Sequence, residues 1–270
     1  MGMKKVLLSL LHDVVMISLG LFVMIALKKL MPLTKRGGFC NDFSIRYPSK
    51  VELIPSSVET TVFGLLIIFT VTIVEFLRCL DQRDWEYIVP SKYIVMVFRI
   101  EKSLVSMIFH GLILASIVFF GKMFVGRLRP NFIRICNTIP CDVSGYQDFE
   151  CRKYDEAAFD ARLSFPSGHA AIAWYAAAYI VLYVQYGVRC WPLVKALIEV
   201  AVISMAWFSS LCRITQNQHH PSDVVCSALL GLLFALLAYW NTSHSLPLPS
   251  SDENKAPVQR SRAPVHMINQ

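Results

Sequence analysis

Apolar residues are concentrated in six long runs along the chain, and short polar segments separate these runs. The runs cover residues 6–27, 61–77, 104–120, 170–186, 193–212 and 224–240. Their lengths match the roughly 17–25 residues that a helix needs to cross a bilayer. A backbone in lipid must satisfy its own hydrogen bonds, so each run is expected to be a helix. The pattern predicts an all-α protein, a bundle of six transmembrane helices.

Composition supports a membrane protein, because 55% of the 270 residues are hydrophobic and the mean hydropathy is +0.49. A soluble domain of this length rarely carries so much apolar surface. The first run contains His12 and Asp13 and lacks a small-residue cleavage site, which argues against a removed signal peptide. We expect one membrane domain over residues 1–240. Residues 241–270 are polar and rich in Ser and Pro, which predicts a disordered cytosolic tail.

The net charge of +7 is spread over the loops, a distribution that suits anionic lipid surfaces better than nucleic acid. No nucleic-acid-binding motif occurs in the sequence, so no nucleic-acid partner is expected. Basic residues divide almost evenly between the two sides of the membrane, and the positive-inside rule therefore does not orient the bundle. The faces of the spans leave homo-oligomerisation open.

The eight cysteines lack zinc-finger spacing, so no structural metal is expected. Four of them fall on one side of the predicted bundle, where a lumenal environment would permit a disulfide. The spacing leaves the pairing open among Cys40, Cys136, Cys141 and Cys151.

A first polar cluster follows the third apolar run. Lys122 ends the run, and Arg129 lies seven residues later, directly before Pro130. Arg127 is an equally plausible cation in this segment. Basic residues often flank a membrane span as an interfacial stop, so the cluster alone does not establish a binding site.

A second polar cluster, Pro166-Ser167-Gly168-His169, directly precedes the fourth apolar run. The next helix then begins with free N–H groups and the positive end of its dipole, which together favour an anion. Ser167 can cap this helix, and Gly168 permits close approach of a ligand to the backbone. His169 adds a ring that can carry a proton. The structural alternative is a plain helix cap.

The third polar cluster spans residues 213–223 and precedes the last apolar run. It contains Arg213, His219 and Asp223, and the carboxylate is costly at a span unless it has a partner. A carboxylate that accepts the Nδ1 proton of His219 would leave Nε2 free as a base or nucleophile. An interfacial hydrogen-bond network and a metal site remain alternatives, and His220 could compete for either role.

The three clusters share one face of the membrane in the six-span topology, and each lies at a helix end. Together they supply three cations, two imidazoles and one carboxylate, a set that suits binding and transferring a phosphate. The combination predicts a single phosphate site at the membrane edge.

These residues resemble the three signature motifs of the type-2 phosphatidic acid phosphatase superfamily: Lys-x6-Arg-Pro, Pro-Ser-Gly-His and Arg-x5-His-x3-Asp. Residues 35–48 resemble the first outer loop of the lipid phosphate phosphatases within that superfamily. The resemblance covers about residues 10–240. Relatives often carry a glycosylation acceptor between the first two clusters, but Asn131 and Asn137 lack its pattern.

The resemblance implies a metal-independent, multi-pass phosphatase of the plasma membrane or endomembranes, with its active site facing the lumen or cell exterior. Its substrates would be phosphatidate, lysophosphatidate, sphingosine 1-phosphate and ceramide 1-phosphate, and no cofactor is implied. The catalytic residues would be His219 as nucleophile, Asp223 as its orienting partner and His169 as general acid. The phosphate would be bound by Lys122, Arg129, Ser167, Gly168 and Arg213.

Three other functions compete with this interpretation. A polyprenyl diphosphate or a soluble sugar phosphate could be the substrate, although the first-loop resemblance argues against both. A lipid-phosphate binder without activity would usually have lost a motif residue, and all are present here. A transporter would be indicated by internal repeats, and the sequence has none.

Overall fold

The computed structural model describes residues 3–81, 92–138, 145–189 and 191–245, and long helices make up most of it. Six helices within this part of the chain are long and apolar enough to cross a membrane. The prediction of an all-α six-helix bundle is thereby confirmed. The helices are α1 Met3–Leu30, α2 Ser56–Asp81, α3 Lys92–Val125, α4 Phe132–Cys136, α5 Glu156–Asp160, α6 Gly168–Gly187, α7 Pro192–Thr215 and α8 Pro221–Ser245, with α4 and α5 short.

Helix α3 begins well before the apolar run that predicted it, at Lys92 rather than at residue 104. Charged residues in its first half ended the run, but these residues have partners in the structure. Lys102 forms an ion pair with Asp13 of α1, and Arg99 Nη1 lies 3.8 Å from Glu75 Oε2 of α2. Paired charges are tolerated within a span where single ones are not, so the helix continues through them.

Helix α6 lies at the centre of the bundle and packs against α2, α3, α7 and α8. Its buried face is rich in alanine, which allows neighbouring helices to approach closely. A Cβ at Gly231 of α8 would lie 2.5 Å from the Ala171 carbonyl oxygen, so glycine is required at this helix crossing. The hydroxyls of Tyr175 and Tyr179 donate to the carbonyls of Met107 and Ser103 on α3, at 2.6 and 3.0 Å.

A small polar layer covers one end of the bundle. It is built from residues 31–55 and from the segment between α3 and α6, which join in the two-stranded antiparallel sheet β1 Gly38–Phe39 and β2 Tyr146–Gln147. Beneath the sheet lies a second apolar cluster that includes Leu128, Phe132 and Phe149. The layer closes the end of the bundle where the three polar clusters lie.

A disulfide joins Cys136 and Cys151 in this outer layer, and Cys40 is also disulfide-bonded. Three of the four cysteines predicted on this side are therefore oxidised, whereas Cys141 lies outside the described residues. Cys79, Cys212 and Cys226, within the helices, are free thiols.

The chain after α8 was predicted to be a tail from residue 241. Helix α8 continues to Ser245, five residues beyond that boundary, and residues 246–270 lie outside the described residues. The disordered cytosolic tail stays a prediction.

Candidate active site

Five helix ends meet beneath the outer layer: the first turns of α2, α6 and α8 and the last turns of α3 and α7. The first loop, residues 31–55, crosses these ends and is tied to them by one close backbone approach and by hydrogen bonds to backbone carbonyls. Gly126, with a φ of +57°, lies so close to the loop that a Cβ would stand 1.9 Å from the Thr34 carbonyl oxygen. The other ties are Thr34 N to Met123 O, Tyr47 N to Pro130 O, Lys50 Nζ to Thr215 O and Asn217 Nδ2 to Pro48 O, all within 3.0 Å.

His219 is buried in the short turn between α7 and α8. Its Nδ1 lies 2.6 Å from the Ser164 carbonyl oxygen. A carbonyl can only accept, so Nδ1 carries the proton and Nε2 of the neutral ring keeps its lone pair. Nε2 has no hydrogen-bond partner among the described residues. The ring is therefore held as a nucleophile requires.

Asp223 lies close to His219 but is not the nearest acceptor of its ring proton. The distance from Nδ1 to Asp223 Oδ2 is 3.9 Å, longer than the contact to Ser164 O. The same Oδ2 accepts a hydrogen bond from Ser164 Oγ at 2.6 Å and one from the His220 backbone N–H at 3.0 Å. Asp223 thus positions the residue whose carbonyl positions His219, an arrangement that the sequence does not reveal.

Arg127 neutralises the buried carboxylate of Asp223. Its Nη1 donates to Asp223 Oδ1 at 2.5 Å and to Ser222 Oγ at 2.8 Å. From the sequence, Arg127 was as plausible a phosphate ligand as its neighbours. The structure instead pairs it with the carboxylate behind His219.

Arg213, at the end of α7, has no solvent exposure. Its Nη2 donates to the Ile54 carbonyl at 2.9 Å, and its Nη1 donates to Glu52 Oε1 at 2.6 Å and lies 3.1 Å from His169 Nε2. Its Nε has no partner among the described residues and retains a donor for an anion. The contact with His169 brings the second and third sequence clusters together.

Two carboxylates flank the ring of His169, in the first turn of α6. Glu52 Oε1 lies 3.4 Å from His169 Nε2 and Glu59 Oε2 lies 3.7 Å from it. Glu59 also accepts a hydrogen bond from Ser209 Oγ of α7. When the ring is protonated, either carboxylate can accept its N–H, which is what a proton donor in this position needs.

Lys122 and Arg129 complete the cationic set. Arg129 Nη2 lies 2.8 Å from Asp160 Oδ2, and its Nε has no partner in the described part of the chain. Lys122 has no ion-pair partner there. Both cations are close enough to His219 to lower the pKa of its ring. Together with the Arg127–Asp223 ion pair, this places the first sequence cluster beside the third.

The first turn of α6 supplies backbone donors. Ser167 is the N-cap, and its Oγ accepts from the Ala170 N–H at 3.5 Å. Gly168 is the first helical residue, and a Cβ there would meet only Val118 Cγ1, at 3.9 Å. Free N–H groups at a helix start favour a phosphate, and phosphate binding by Ser167 and Gly168 stays a prediction.

His220 does not point towards the His219 site. Its Nε2 lies 3.0 Å from the Leu128 carbonyl, to which it donates. Among the residues that the structure describes, no group of three or more His, Cys, Asp or Glu side chains could hold a metal ion. His220 therefore takes part in a hydrogen-bond network, which is one of the two roles that the sequence left open for it.

The environment of His219 predicts how stability depends on pH. Burial lowers its pKa from 6.5 to about 4, and the Arg129 and Lys122 charges act in the same direction, against the Asp223 and Ser164 contacts. Between those values an unfolded chain binds a proton that the folded protein does not, so the stability falls as the pH falls. From pH 7 to pH 5 the loss would be about 2 kcal/mol.

Thermal unfolding in detergent at pH 7 and pH 5 measures this loss, with His219→Asn as the reference. The variant should lose about 2 kcal/mol less than the unsubstituted protein over the same interval. Equal losses in the two proteins would show that His219 titrates normally.

The fold defines an integral, multi-pass membrane protein, and a cluster of cations, imidazoles and carboxylates lies at one end of its bundle. The family model of the PAP2 superfamily matches residues 102–246, which include all three clusters. The chain therefore belongs to the PAP2 superfamily.

Curated relatives match most of the chain. Rat phospholipid phosphatase 2 is 31% identical over 235 residues, 82% of each chain. Human phospholipid phosphatase 2 is 29% identical over 210 residues, 75% of this chain and 72% of the relative. Mouse phospholipid phosphatase 1 is 29% identical over 216 residues, 75% and 73% of the two chains. No solved structure matches the chain.

Proposed function

We propose that this protein hydrolyses lipid phosphate monoesters through a phosphohistidine intermediate, without a metal ion. The coarser part, an enzyme of the phospholipid phosphatase type, follows from its family and relatives. The observation that supports the mechanism is the buried ring of His219. Its Nδ1 proton is held by Ser164, and Nε2 is left unpartnered among the described residues, beside the cations of the site.

Substrate binding would use the three cations and the start of α6. The lipid chains would stay in the bilayer, and the phosphate head group would reach Lys122, Arg129 and Arg213 at the membrane edge. The free Nε donors of the two arginines and the backbone N–H groups after Ser167 suit phosphate oxygens. One such donor contributes about 2.7–4 kcal/mol to transition-state stabilisation in well-studied sites.

The reaction would proceed in two transfers. His219 Nε2 attacks phosphorus as the bond from phosphorus to the ester oxygen breaks, and His169 gives its proton to the leaving lipid alkoxide. Water then attacks the phosphohistidine, His169 takes a proton from that water, and inorganic phosphate leaves with His219 restored. Fixed cations perform the charge neutralisation that a metal ion often supplies.

A turnover panel tests the proposed function. Phosphate release would be measured in mixed micelles for phosphatidate, lysophosphatidate, sphingosine 1-phosphate and ceramide 1-phosphate, each with a chelator present. We expect release from at least one of them and full activity with the chelator. No release from any of the four lipids would contradict the proposal. A chelator-induced loss of activity that one divalent ion restores would contradict its metal independence.

We also propose that the site faces the lumen or the cell exterior. The support is the outer layer itself, where Cys40, Cys136 and Cys151 are disulfide-bonded, since such bonds persist in oxidising compartments. The free thiols within the helices do not bear on this question.

An engineered glycosylation acceptor tests the orientation. Arg152→Asn combined with Tyr154→Thr introduces the acceptor pattern at two exposed positions of the outer layer. In mammalian cells we expect a mass increase that endoglycosidase removes, whereas Arg152→Asn alone should show none. An unmodified but active double variant would place the site on the cytosolic side.

A further inference from the structure

Glu52 is the one acidic residue of the first loop that contacts the site, within the described residues. Its carboxylate touches Arg213 Nη1 at 2.6 Å and lies 3.4 Å from His169 Nε2. Its side chain keeps 39% of its solvent exposure, whereas Arg213 has none. Glu52 therefore lies at the mouth of the site, between solvent and the innermost cation.

The position of Glu52 has an electrostatic consequence for any phosphate that binds. The Glu52 carboxylate already offsets part of the Arg213 charge, and this weakens the attraction of Arg213 for a phosphate oxygen at its free Nε. A bound phosphate also places a second negative charge within a few ångströms of Glu52, and like charges at that distance repel. Substrates that bring only negative charge are disfavoured by this arrangement.

A substrate with its own cation next to the phosphate changes this balance. In a sphingoid-base phosphate, two carbons separate the ester oxygen from an ammonium group. With the phosphate on Arg213 and the ester oxygen near His169, that ammonium comes within reach of Glu52, which touches both residues. The Glu52 carboxylate then gains an ion pair with the ammonium group, which offsets its repulsion from the phosphate.

We propose that Glu52 determines specificity by favouring lipid phosphates that carry an ammonium group beside the phosphate. The inference rests on the proposed function, because it requires the phosphate to bind at Arg213. Glu52 itself takes no part in the bond changes.

The test compares two single-chain lipids in the same mixed micelles. Sphingosine 1-phosphate carries the ammonium group, and lysophosphatidate has a hydroxyl instead. The ratio of their kcat/KM values would be measured for the unsubstituted protein and for Glu52→Gln. The ratio is that of sphingosine 1-phosphate over lysophosphatidate, and we expect Glu52→Gln to lower it about tenfold. Unscreened charges would give a larger effect, but Glu52 is partly exposed to solvent. The change should come mainly from KM.

Two control variants separate recognition of the ammonium from other effects. Glu52→Asp keeps the charge and should keep most of the ratio. Glu150→Gln removes an exposed carboxylate of the same outer layer and should leave the ratio unchanged. An equal loss for both lipids in Glu52→Gln would overturn the inference, because it would show that Glu52 only positions Arg213. An equal gain in kcat/KM for both lipids would overturn the inference as well. It would show that Glu52 only opposes phosphate binding and does not recognise the ammonium group.

Failure of the proposed function looks different from failure of this inference. If the unsubstituted protein hydrolyses neither lipid, the proposed function is wrong and the inference with it. If it hydrolyses both and the ratio is the same in Glu52→Gln, only the inference is wrong.

Discussion

Replacing His219 with Ala is expected to reduce lipid phosphate release by about 10⁴-fold or more, the scale seen when a catalytic nucleophile is removed. The reason is that His219 is the proposed nucleophile, with Nε2 unpartnered among the described residues, whereas the rings of His169 and His220 contact Arg213 and the Leu128 carbonyl. The measurement is initial-rate phosphate release from micellar phosphatidate. Rapid acid-free quenching with labelled substrate should in addition trap a phosphoenzyme in the unsubstituted protein and none in the variant.

His220→Ala is the matched control for that experiment. His220 is adjacent in sequence, but its ring Nε2 donates to the Leu128 carbonyl. The loss of one such hydrogen bond costs about 1 kcal/mol of stability, and most of the activity should remain. Comparable activity in His219→Ala and the unsubstituted protein would show that His219 is not the nucleophile. A His220→Ala protein that folds normally but is inactive would point to His220 as the nucleophile instead.

Replacing Arg127 with Met is expected to destabilise the protein by about 3 kcal/mol and to reduce its activity. Asp223 has no solvent exposure, and Arg127 is its only ion-pair partner with a permanent charge among the described residues. The substitution leaves a buried carboxylate without that partner. We place the loss at the low end for buried pairs because the Arg127 side chain keeps 31% of its exposure. Thermal unfolding in detergent measures it.

Arg134→Met is the control, since Arg134 is an exposed arginine of α4 on the same side. It should change the stability by less than about 0.5 kcal/mol. Combining Arg127→Met with Asp223→Asn should restore much of the stability, because the uncompensated charge is gone, but not the activity. An Arg127→Met protein with unchanged stability would show that Ser164 and the His220 N–H alone compensate Asp223.

The bundle was predictable because its signal is local. A span needs about twenty apolar residues in a row, and that requirement is visible in the sequence wherever charge does not interrupt it. The prediction from apolar runs missed the first half of α3, where Lys102 and Arg99 are paired with residues on α1 and α2. Those partners are distant in sequence, so the apolar run appeared to be shorter than the helix.

The candidate site was predictable as a set of residue types, whereas the hydrogen bonds and ion pairs that link those residues were not. Lys122, Arg129, His169, Arg213, His219 and Asp223 could be selected by their spacing and by the resemblance that their motifs carry. The roles of Ser164 and Glu52 and the pairing of Arg127 could not be predicted in this way. Ser164 acts through its backbone carbonyl, which any residue has, and Glu52 lies 161 residues from the arginine that it contacts.

The sequence by itself determined the six spans, the polar clusters at the helix ends and the cations and imidazoles that they contain, since each depends on composition or short spacing. Only the tertiary structure decided which acceptor holds the His219 proton, which cation neutralises Asp223 and which acidic side chain lies at the mouth of the site. Hydrogen bonds and ion pairs depend on distances of a few ångströms between residues far apart in the chain, and those distances exist only after folding.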